Sequence, residues 1–347
     1  MSAQSNPHQP GLSDQQTDQA QKVSQPVGAA SGVAPGAGVA ANSPLGDAGQ
    51  GRRSGLATQA RSYWELLKPR VMTLVIFTGI VGLVVSGGTV SWLQAIVGIL
   101  CLSFGAGSAG ALNMWIERKS DALMERTAGR PLPQGRVTST GALVFGLVVN
   151  VASVLVMGFA VNWVAAGILA FASFFYVVIY TLWLKPRTPQ NIVIGGAAGA
   201  FPPMIGWAIG TGQVSWIGFS LFLLIFAWTP PHSWALAIWK RLDYSSAGIP
   251  MLPVVAGTLA TTRQIIVYSW IMVASSLVPV LFGGVGALYT LTALGCGALF
   301  LAGAYRVHAV GDKDLGPSRQ LFGYSLLYLA ILFLVAALDA RQSVTLL

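Results

Sequence analysis

Nine long apolar segments, separated by short polar stretches, occupy most of the chain after about residue 70. Each segment has close to the ~20 residues that a helix needs to cross the hydrocarbon core of a bilayer. The pattern therefore predicts an all-α polytopic membrane protein whose nine transmembrane helices form one bundle. We place these helices at 70–88, 92–112, 138–158, 163–183, 190–209, 215–238, 264–283, 286–305 and 320–338.

The composition agrees with a membrane protein. Of the 347 residues, 54% are hydrophobic and only 9% are charged, whereas about a quarter of the residues of a soluble domain are charged. Residues 1–60 lack apolar periodicity, so we expect a disordered cytoplasmic tail there and the membrane domain at 61–347. Residues 62–70 (SYWELLKPR) are typical of an interfacial lead-in to the first helix.

The positive charges lie on one side of the predicted bundle. Loops after the second, fourth, sixth and eighth helices contain Lys and Arg, and the other loops contain none. The positive-inside rule places the amino terminus in the cytoplasm and, with an odd number of helices, the carboxyl terminus on the periplasmic side. The net charge of +9 thus reflects orientation and does not indicate nucleic-acid binding.

These observations predict the membrane in which the protein lies and the side of that membrane on which its site opens. The tail has no basic segment leading into an apolar core, so we expect no signal peptide and a bacterial inner membrane as the location. The conspicuous polar residues share the cytoplasmic side, so we expect a central cavity of the bundle to open there. A transporter would instead place polar groups near the midplane.

One polar segment, residues 112–136, interrupts the apolar sequence with regularly spaced oxygen ligands. Asn113, Glu117 and Asp121 are separated by four residues each, so on a helix they form one stripe roughly 12 Å long. Two carboxylates and an amide are ligands that Mg²⁺ takes, usually together with substrate phosphates. The stripe therefore predicts a site for a metal-bound phosphate compound at the membrane surface.

Arginines follow the stripe directly, at Arg126, Arg130 and Arg136, and we expect Pro131 and Pro133 to end the helix. Guanidinium groups bind phosphate through paired hydrogen bonds. Metal ligands beside phosphate-binding groups favour a lipid-linked diphosphate as the substrate. The alternative is an ordinary cytoplasmic loop, whose charges only set the orientation of the helices.

Residues around the end of the sixth helix form a second candidate group. We expect Pro230 and Pro231 to break this helix. If it restarts there, His232, Lys240 and Asp243 lie at i, i+8 and i+11, close to one face. Asp243 could then join the acids of the stripe, and Lys240 could bind phosphate. His232 is either a hydrogen-bonded packing residue or a functional group, because burying an imidazole in a membrane is costly.

A third group follows the fourth helix. Lys185 and Arg187 either set the orientation or contact a diphosphate. Asn191 opens the fifth helix, where a buried amide needs a hydrogen-bond partner. Tyr244 is either an interfacial anchor or a substrate contact.

Three sequence runs together resemble the intramembrane aromatic prenyltransferase superfamily, and more closely its protoheme IX farnesyltransferase (haem O synthase) family. The resemblance extends from Tyr63 to the last helix. Two departures are visible: Glu117 stands where the superfamily commonly has Asp, and Lys119-Ser120 stand where haem O synthases commonly have Asp-Ile. The runs are NMWIERKSDALMERTAGRPLPQGR, YTLWLKPRTPQNIVIGG and PPHSWALAIWKRLDYSSAGIPMLPVV.

The resemblance implies transfer of a farnesyl group from farnesyl diphosphate to a vinyl group of haem b, with addition of water and release of diphosphate. It implies Mg²⁺ as the cofactor, and haem A synthase or terminal-oxidase assembly factors as downstream partners. The residues that it points to fall into three sets. Asn113, Glu117, Asp121 and Asp243 would be catalytic, the three acids holding the metal; Arg126, Arg130, Lys185, Arg187 and Lys240 would bind diphosphate; His232, Asn191 and Tyr244 would contact haem.

Two other functions stay open at this point. One is a prenyltransferase that acts on a quinone-pathway aromatic compound, and the presence of His232 and the lack of a second full acidic motif count against it. The other is a membrane transporter or lipid-binding scaffold, and the one-sided polar distribution counts against it.

Overall fold

The structure is a computed structural model that describes residues 47–188, 190–246 and 248–344. Most of the predicted disordered tail, residues 1–46, lies outside these ranges. The rest of the predicted tail is helical, because the first helix begins at Asp47 and runs to Leu66. The boundary that we expected between residues 60 and 61 therefore falls inside a helix.

All regular elements of the described residues are helices. A π-helical segment, Phe175–Leu184, continues α6 directly, and a single 3₁₀ turn, Gly311–Lys313, follows α13. The α-helices are α1 (Asp47–Leu66), α2 (Pro69–Val85), α3 (Trp92–Asp121), α4 (Glu125–Ala128), α5 (Ser139–Ala160), α6 (Trp163–Phe174), α7 (Asn191–Thr211), α8 (Trp216–Trp239), α9 (Arg241–Ser246), α10 (Leu252–Val255), α11 (Gly257–Ser276), α12 (Val278–Leu281), α13 (Ala287–Val310) and α14 (Gly316–Val344).

Nine membrane spans account for the long helices of the described ranges. Eight are straight enough, long enough and apolar enough to cross a bilayer, and the ninth is α2 together with the end of α1, from which it is bent by 52°. Lys68 lies at the bend with a left-handed φ of 54°, and Pro69, which has no N–H to donate, begins α2. The prediction of an all-α, nine-helix membrane protein is confirmed.

Helix α3 is longer than predicted and carries the polar stripe beyond the apolar segment. A capping box between Ser91 and Gln94 starts the helix, and it ends at Asp121. The expectation that prolines at 131 and 133 end it is wrong. The chain turns directly after Asp121, where Thr127 Oγ1 donates a hydrogen bond of 2.8 Å to the Asp121 carbonyl oxygen. That bond satisfies one of the carbonyls left free at a helix end.

Helix α8 runs without a break through Pro230 and Pro231, so the predicted interruption is wrong. Neighbouring helices can support a transmembrane helix where proline removes a hydrogen bond, and α8 packs against α7, α11 and α14. The chain instead changes direction at Lys240, the C-cap of α8. Asp243 therefore lies on the separate helix α9 and not on the helical face that carries His232.

Helix α7 lies between α2 and α8 and packs closely against both. Gly82 on α2 faces the carbonyl oxygen of Pro203 on α7, and Gly206 on α7 faces that of Gly79, so closely that a Cβ at either Gly82 or Gly206 would overlap the opposite backbone. Small residues allow this kind of close approach between membrane helices. This close contact sets the relative positions of α2 and α7, and both helices line the candidate site.

Candidate active site

The end of α3 and the chain segments that follow α3, α6 and α8 meet the bend before α2 around a cavity of about 180 Å³, which we call the polar pocket. These segments belong to the end of the bundle that carries most Lys and Arg residues, which we call the basic end. Of the residues predicted from the sequence, the polar pocket brings together Asn113, Glu117, Asp121, Arg126, Arg130, Lys185 and Tyr244. Lys68, Tyr176 and Tyr180 also line it.

The two acids of the α3 stripe each have a cationic partner. Lys185 forms a salt bridge with Glu117, and Arg130 binds Asp121 Oδ2 across 2.6 Å. Asp121 is 1% exposed, and a buried carboxylate is stable only when such partners are present. Its second oxygen, Oδ1, is buried and has no hydrogen-bond partner among the described residues. This oxygen is free to accept a further ligand in the polar pocket.

Lys68 is the site residue that the sequence reasoning missed, because it was assigned to an interfacial lead-in. It lies between α1 and α2, and its Nζ donates a hydrogen bond of 2.8 Å to Asn113 Oδ1. An anion bound in the polar pocket would stabilise the charged Lys68 ammonium.

A second, apolar cavity of about 440 Å³ extends into the bundle from the polar pocket. Lys68, Tyr176 and Tyr180 line both cavities, so they mark the junction between them. The lining residues of α3 run from Gly110 to Leu102, which at the rise of an α-helix is a depth of about 12 Å. The two cavities together form a site with a charged head and a long apolar interior.

The junction is shaped by the π-helical segment after α6. The rings of Tyr176 and Tyr180 are stacked with 5.8 Å between centroids and 11° between planes. A Cβ at Gly195 of α7 would overlap the Tyr180 ring. The ring can therefore occupy this position only because residue 195 is glycine. Neither tyrosine hydroxyl has a hydrogen-bond partner in the part of the chain that the structure describes.

Several predicted residues lie outside the polar pocket. Arg187 donates hydrogen bonds of 2.9 and 3.2 Å to the carbonyl oxygens of Leu182 and Trp183 at the end of the π-helical segment. Asn191 is fully buried and donates a bond of 2.7 Å to the Thr188 carbonyl. Both side chains therefore hydrogen-bond to the backbone of the fold. Their substrate-binding roles stay predictions.

Asp243 and Lys240 also lie apart from the pocket lining. Within residues 57–340, apart from the two undescribed positions, no three His, Cys, Asp or Glu side chains are grouped as metal ligands. Asp243 Oδ2 is buried without a partner, and Lys240 Nζ lies 5.2 Å from the centre of the Trp239 ring. The metal role of Asp243 and the diphosphate role of Lys240 stay predictions.

A match to the model of the UbiA prenyltransferase family covers residues 74–338. The chain belongs to this family. Among UbiA-family proteins it is similar to a protoheme IX farnesyltransferase of Parvibaculum lavamentivorans, with 56% identity over 79% of this chain and 87% of the relative. It is also similar to a protoheme IX farnesyltransferase of Novosphingobium aromaticivorans, with 53% identity over 79% of this chain and 91% of that one.

Solved structures of UbiA-family fold share the architecture at low identity. A digeranylgeranylglyceryl phosphate synthase matches 82% of this chain and 99% of its own with a TM-score of 0.69 and 16% identity. A UbiA homologue from Archaeoglobus fulgidus, solved with GPP and Mg²⁺, matches 79% of this chain and 99% of its own with a TM-score of 0.54 and 18% identity. At these identities the likeness shows the fold alone.

Proposed function

We propose that the chain transfers a farnesyl group from farnesyl diphosphate to a vinyl group of haem b, giving haem O and diphosphate. The observation that carries the proposal is the polar pocket at the mouth of the apolar cavity. A diphosphate with an isoprenoid tail has the same division into a charged head and an apolar chain. Relatives at 50–56% identity with the name protoheme IX farnesyltransferase support haem b as the acceptor.

The diphosphate is bound by four cations that line the polar pocket, Lys68, Arg126, Arg130 and Lys185. Departure of diphosphate leaves a delocalised allylic cation, so the barrier depends on stabilising the charge that develops on the leaving group. Arg130 and Lys185 are held at the pocket by Asp121 and Glu117 before substrate arrives. Placing them in advance avoids the cost of moving them during the reaction.

The residues present fit Mg²⁺. Asp121 Oδ1 is a buried carboxylate oxygen without a partner, and Glu117 and Asn113 line the same pocket. Mg²⁺ is commonly held by one or two carboxylates together with substrate phosphates and water. When bound, it would supply further positive charge beside the diphosphate. Asn113, held by Lys68, would orient the diphosphate or a water molecule.

The apolar cavity holds the farnesyl chain and limits water, so that the allylic cation is not quenched before it meets the vinyl group. The stacked rings of Tyr176 and Tyr180 lie at the junction where this cation forms. Aromatic faces attract positive charge electrostatically. After the carbon–carbon bond forms, water adds to the resulting cation on the haem side and one proton is released.

The proposal includes the orientation of the protein. The basic end faces the cytoplasm of a bacterium, so farnesyl diphosphate enters from that side of the inner membrane, and the carboxyl terminus is periplasmic. The product haem O is then transferred to haem A synthase or to terminal-oxidase assembly factors. The support for these statements is the alternation of basic and uncharged loops along the sequence.

The test is a reaction of the purified protein with haem b, farnesyl diphosphate and Mg²⁺, followed by mass spectrometry of the extracted haem. We expect a product heavier than haem b by one farnesyl group and one hydroxyl group. A protein that leaves haem b unchanged, but prenylates a quinone precursor under the same conditions, would refute haem b as the acceptor.

A further inference from the structure

A column of four aromatic rings follows the contact between α8 and α14, beside the apolar cavity. His232 stacks on Trp228 with 4.1 Å between ring centroids and on Phe322 with 4.7 Å. The ring centroid of Phe322 lies 6.4 Å from that of Trp239, at the end of α8. We call these four residues the aromatic column. His232, Phe322 and Trp239 are only half-buried, so the column is not sealed inside the bundle.

Two cations lie at the basic end of the column, on the same ring. Lys240 Nζ is 5.2 Å and the Arg319 guanidinium 5.3 Å from the centre of the Trp239 ring. Neither forms a salt bridge with any residue that the structure describes, although five salt bridges occur elsewhere. The column therefore ends in two positive charges at the Trp239 ring, and neither has an anionic partner among the described residues.

Two contacts of Ser325 favour one tautomer of His232. Ser325 Oγ lies 2.6 Å from the Phe322 carbonyl oxygen and 2.6 Å from His232 Nδ1. Because a carbonyl oxygen can only accept, both contacts are hydrogen bonds together only when the hydroxyl donates to the carbonyl and Nδ1–H donates to the hydroxyl. The proton is then on Nδ1, and the lone pair is on Nε2. Nε2 has no partner among the described residues. An imidazole held through Nδ1–H with a free Nε2 is the form that binds metal ions.

We propose that the half-buried side of the aromatic column, at the contact between α8 and α14, binds haem b, with His232 Nε2 as the axial ligand of the iron and Lys240 and Arg319 holding the two propionates. The inference rests on the proposed function, which supplies haem b as the acceptor. A porphyrin is a flat apolar ring with two carboxylates along one edge, which matches a column of aromatic rings that ends in two unpaired cations.

The spacing along α8 agrees with this occupant. Seven residues separate His232 from Trp239, a distance of about 10 Å along the helix, comparable to the reach from a haem iron to its propionate carboxylates. The vinyl groups lie on the opposite edge of the porphyrin, and therefore point along α8 towards Trp228. Trp228 also lines the apolar cavity, so the reacting edge adjoins the space that holds the farnesyl chain.

This assignment changes the set of haem residues. His232 keeps the haem role predicted from the sequence, but not a place in the polar pocket. Lys240 moves from the diphosphate to a propionate, and Arg319, to which the sequence reasoning gave no function, joins it. Among the described residues, no hydrogen bond joins Asn191 or Tyr244 to the aromatic column; Asn191 donates to the Thr188 carbonyl, and Tyr244 lines the polar pocket.

The test is a spectroscopic titration of the full-length protein with haem b in detergent, without farnesyl diphosphate. His232→Ala should change the absorbance bands of the bound haem to those of iron without this ligand, and added imidazole should restore them. The double variant Lys240→Gln/Arg319→Gln should keep the ligand spectrum but weaken haem binding by about tenfold or more, as expected for lost charge-assisted hydrogen bonds. Arg263→Gln, an exposed cation on α11, is the matched control and should change nothing.

Haem b with both propionates esterified separates a specific contact from general loss of structure. The ester should bind the wild type and the double variant equally, because it has no carboxylates for the two cations to hold. Equal weakening for haem and ester, or an unchanged spectrum in His232→Ala, would overturn the inference. If His232→Ala does not fold, His232→Gln keeps a donor for Ser325 and is used instead. A wild type that binds no haem would refute the proposed function itself.

Discussion

Lys68 and Asn113 are joined by a hydrogen bond of 2.8 Å from ammonium to amide oxygen, although 45 residues separate them in the sequence. Asn113 Nδ2 in turn donates a bond of 3.2 Å to Thr181 Oγ1 in the π-helical segment. The amide therefore connects the bend before α2, the helix α3 that carries the acids, and the segment that carries the junction tyrosines. This arrangement places the Lys68 ammonium at the mouth of the apolar cavity.

Replacing Lys68 by methionine should lower kcat/KM for farnesyl diphosphate by about 10²-fold, the usual effect of removing one group that stabilises developing negative charge. Methionine retains the apolar part of the side chain, so the helix bend should persist. Steady-state kinetics with haem b as acceptor measures the effect. Lys119→Met is the matched control, since Lys119 is exposed on α3. Equal losses of kcat/KM in the two variants would show that Lys68 contributes only to the net positive charge of the protein and makes no specific contact with the diphosphate.

Asp121→Ala should abolish prenyl transfer while the protein still inserts into the membrane. The change removes the free Oδ1 oxygen and leaves Arg130 without the partner that it binds across 2.6 Å. Turnover and its dependence on Mg²⁺ concentration are the measurements. Glu125→Ala, which removes an exposed carboxylate on α4, should retain turnover. Retained turnover in Asp121→Ala would instead remove Asp121 from the metal and diphosphate site.

The spans and the α3 stripe could be predicted from the sequence because both depend on local periodicity. Apolar segments near the length of a bilayer define the helices, and a four-residue spacing places Asn113, Glu117 and Asp121 on one face whatever surrounds them. The structure places all three in one pocket. The predicted interruption of α8 at Pro230 was wrong because support from packed neighbouring helices cannot be read from a local pattern.

Residues that depend on the path of the chain between helices could not be predicted. Lys68 reaches Asn113 only because the chain bends through a left-handed residue before α2, and nothing in the local sequence identifies that partner. Asp243 has the right spacing from His232 on a continuous helix, but the turn at Lys240 moves it to α9. Spacing is a reliable guide only within one uninterrupted helix.

Asp339 near the end of α14 should be a residue of stability and not of catalysis. Its Oδ2 accepts hydrogen bonds of 2.6 Å from the Gly286 N–H and 3.0 Å from the Tyr289 N–H, at the start of α13. Asp339→Ala should lower the free energy of unfolding by about 1–3 kcal/mol, because it leaves buried N–H groups without an acceptor. Thermal unfolding in detergent measures this, and Asp339→Asn, which keeps one acceptor oxygen, should lose less. A lower kcat in a fully folded Asp339→Asn would contradict a purely structural role.

Gly199 on α7 should control the length of the isoprenoid that the apolar cavity accepts. It lines this cavity, and a Cβ added there would meet no atom within 4 Å. Gly199→Leu should therefore fold, but its side chain should occupy space that the farnesyl tail needs, and raise KM for farnesyl diphosphate by about tenfold. Geranyl diphosphate, which is shorter by one isoprene unit, should be affected less, so the ratio of kcat/KM for the two donors is the measurement.

Gly167→Leu is the matched control, because Gly167 on α6 also has open space around its Cβ position but does not line the cavity. An unchanged donor ratio in Gly199→Leu would mean that the farnesyl chain does not pass this part of α7.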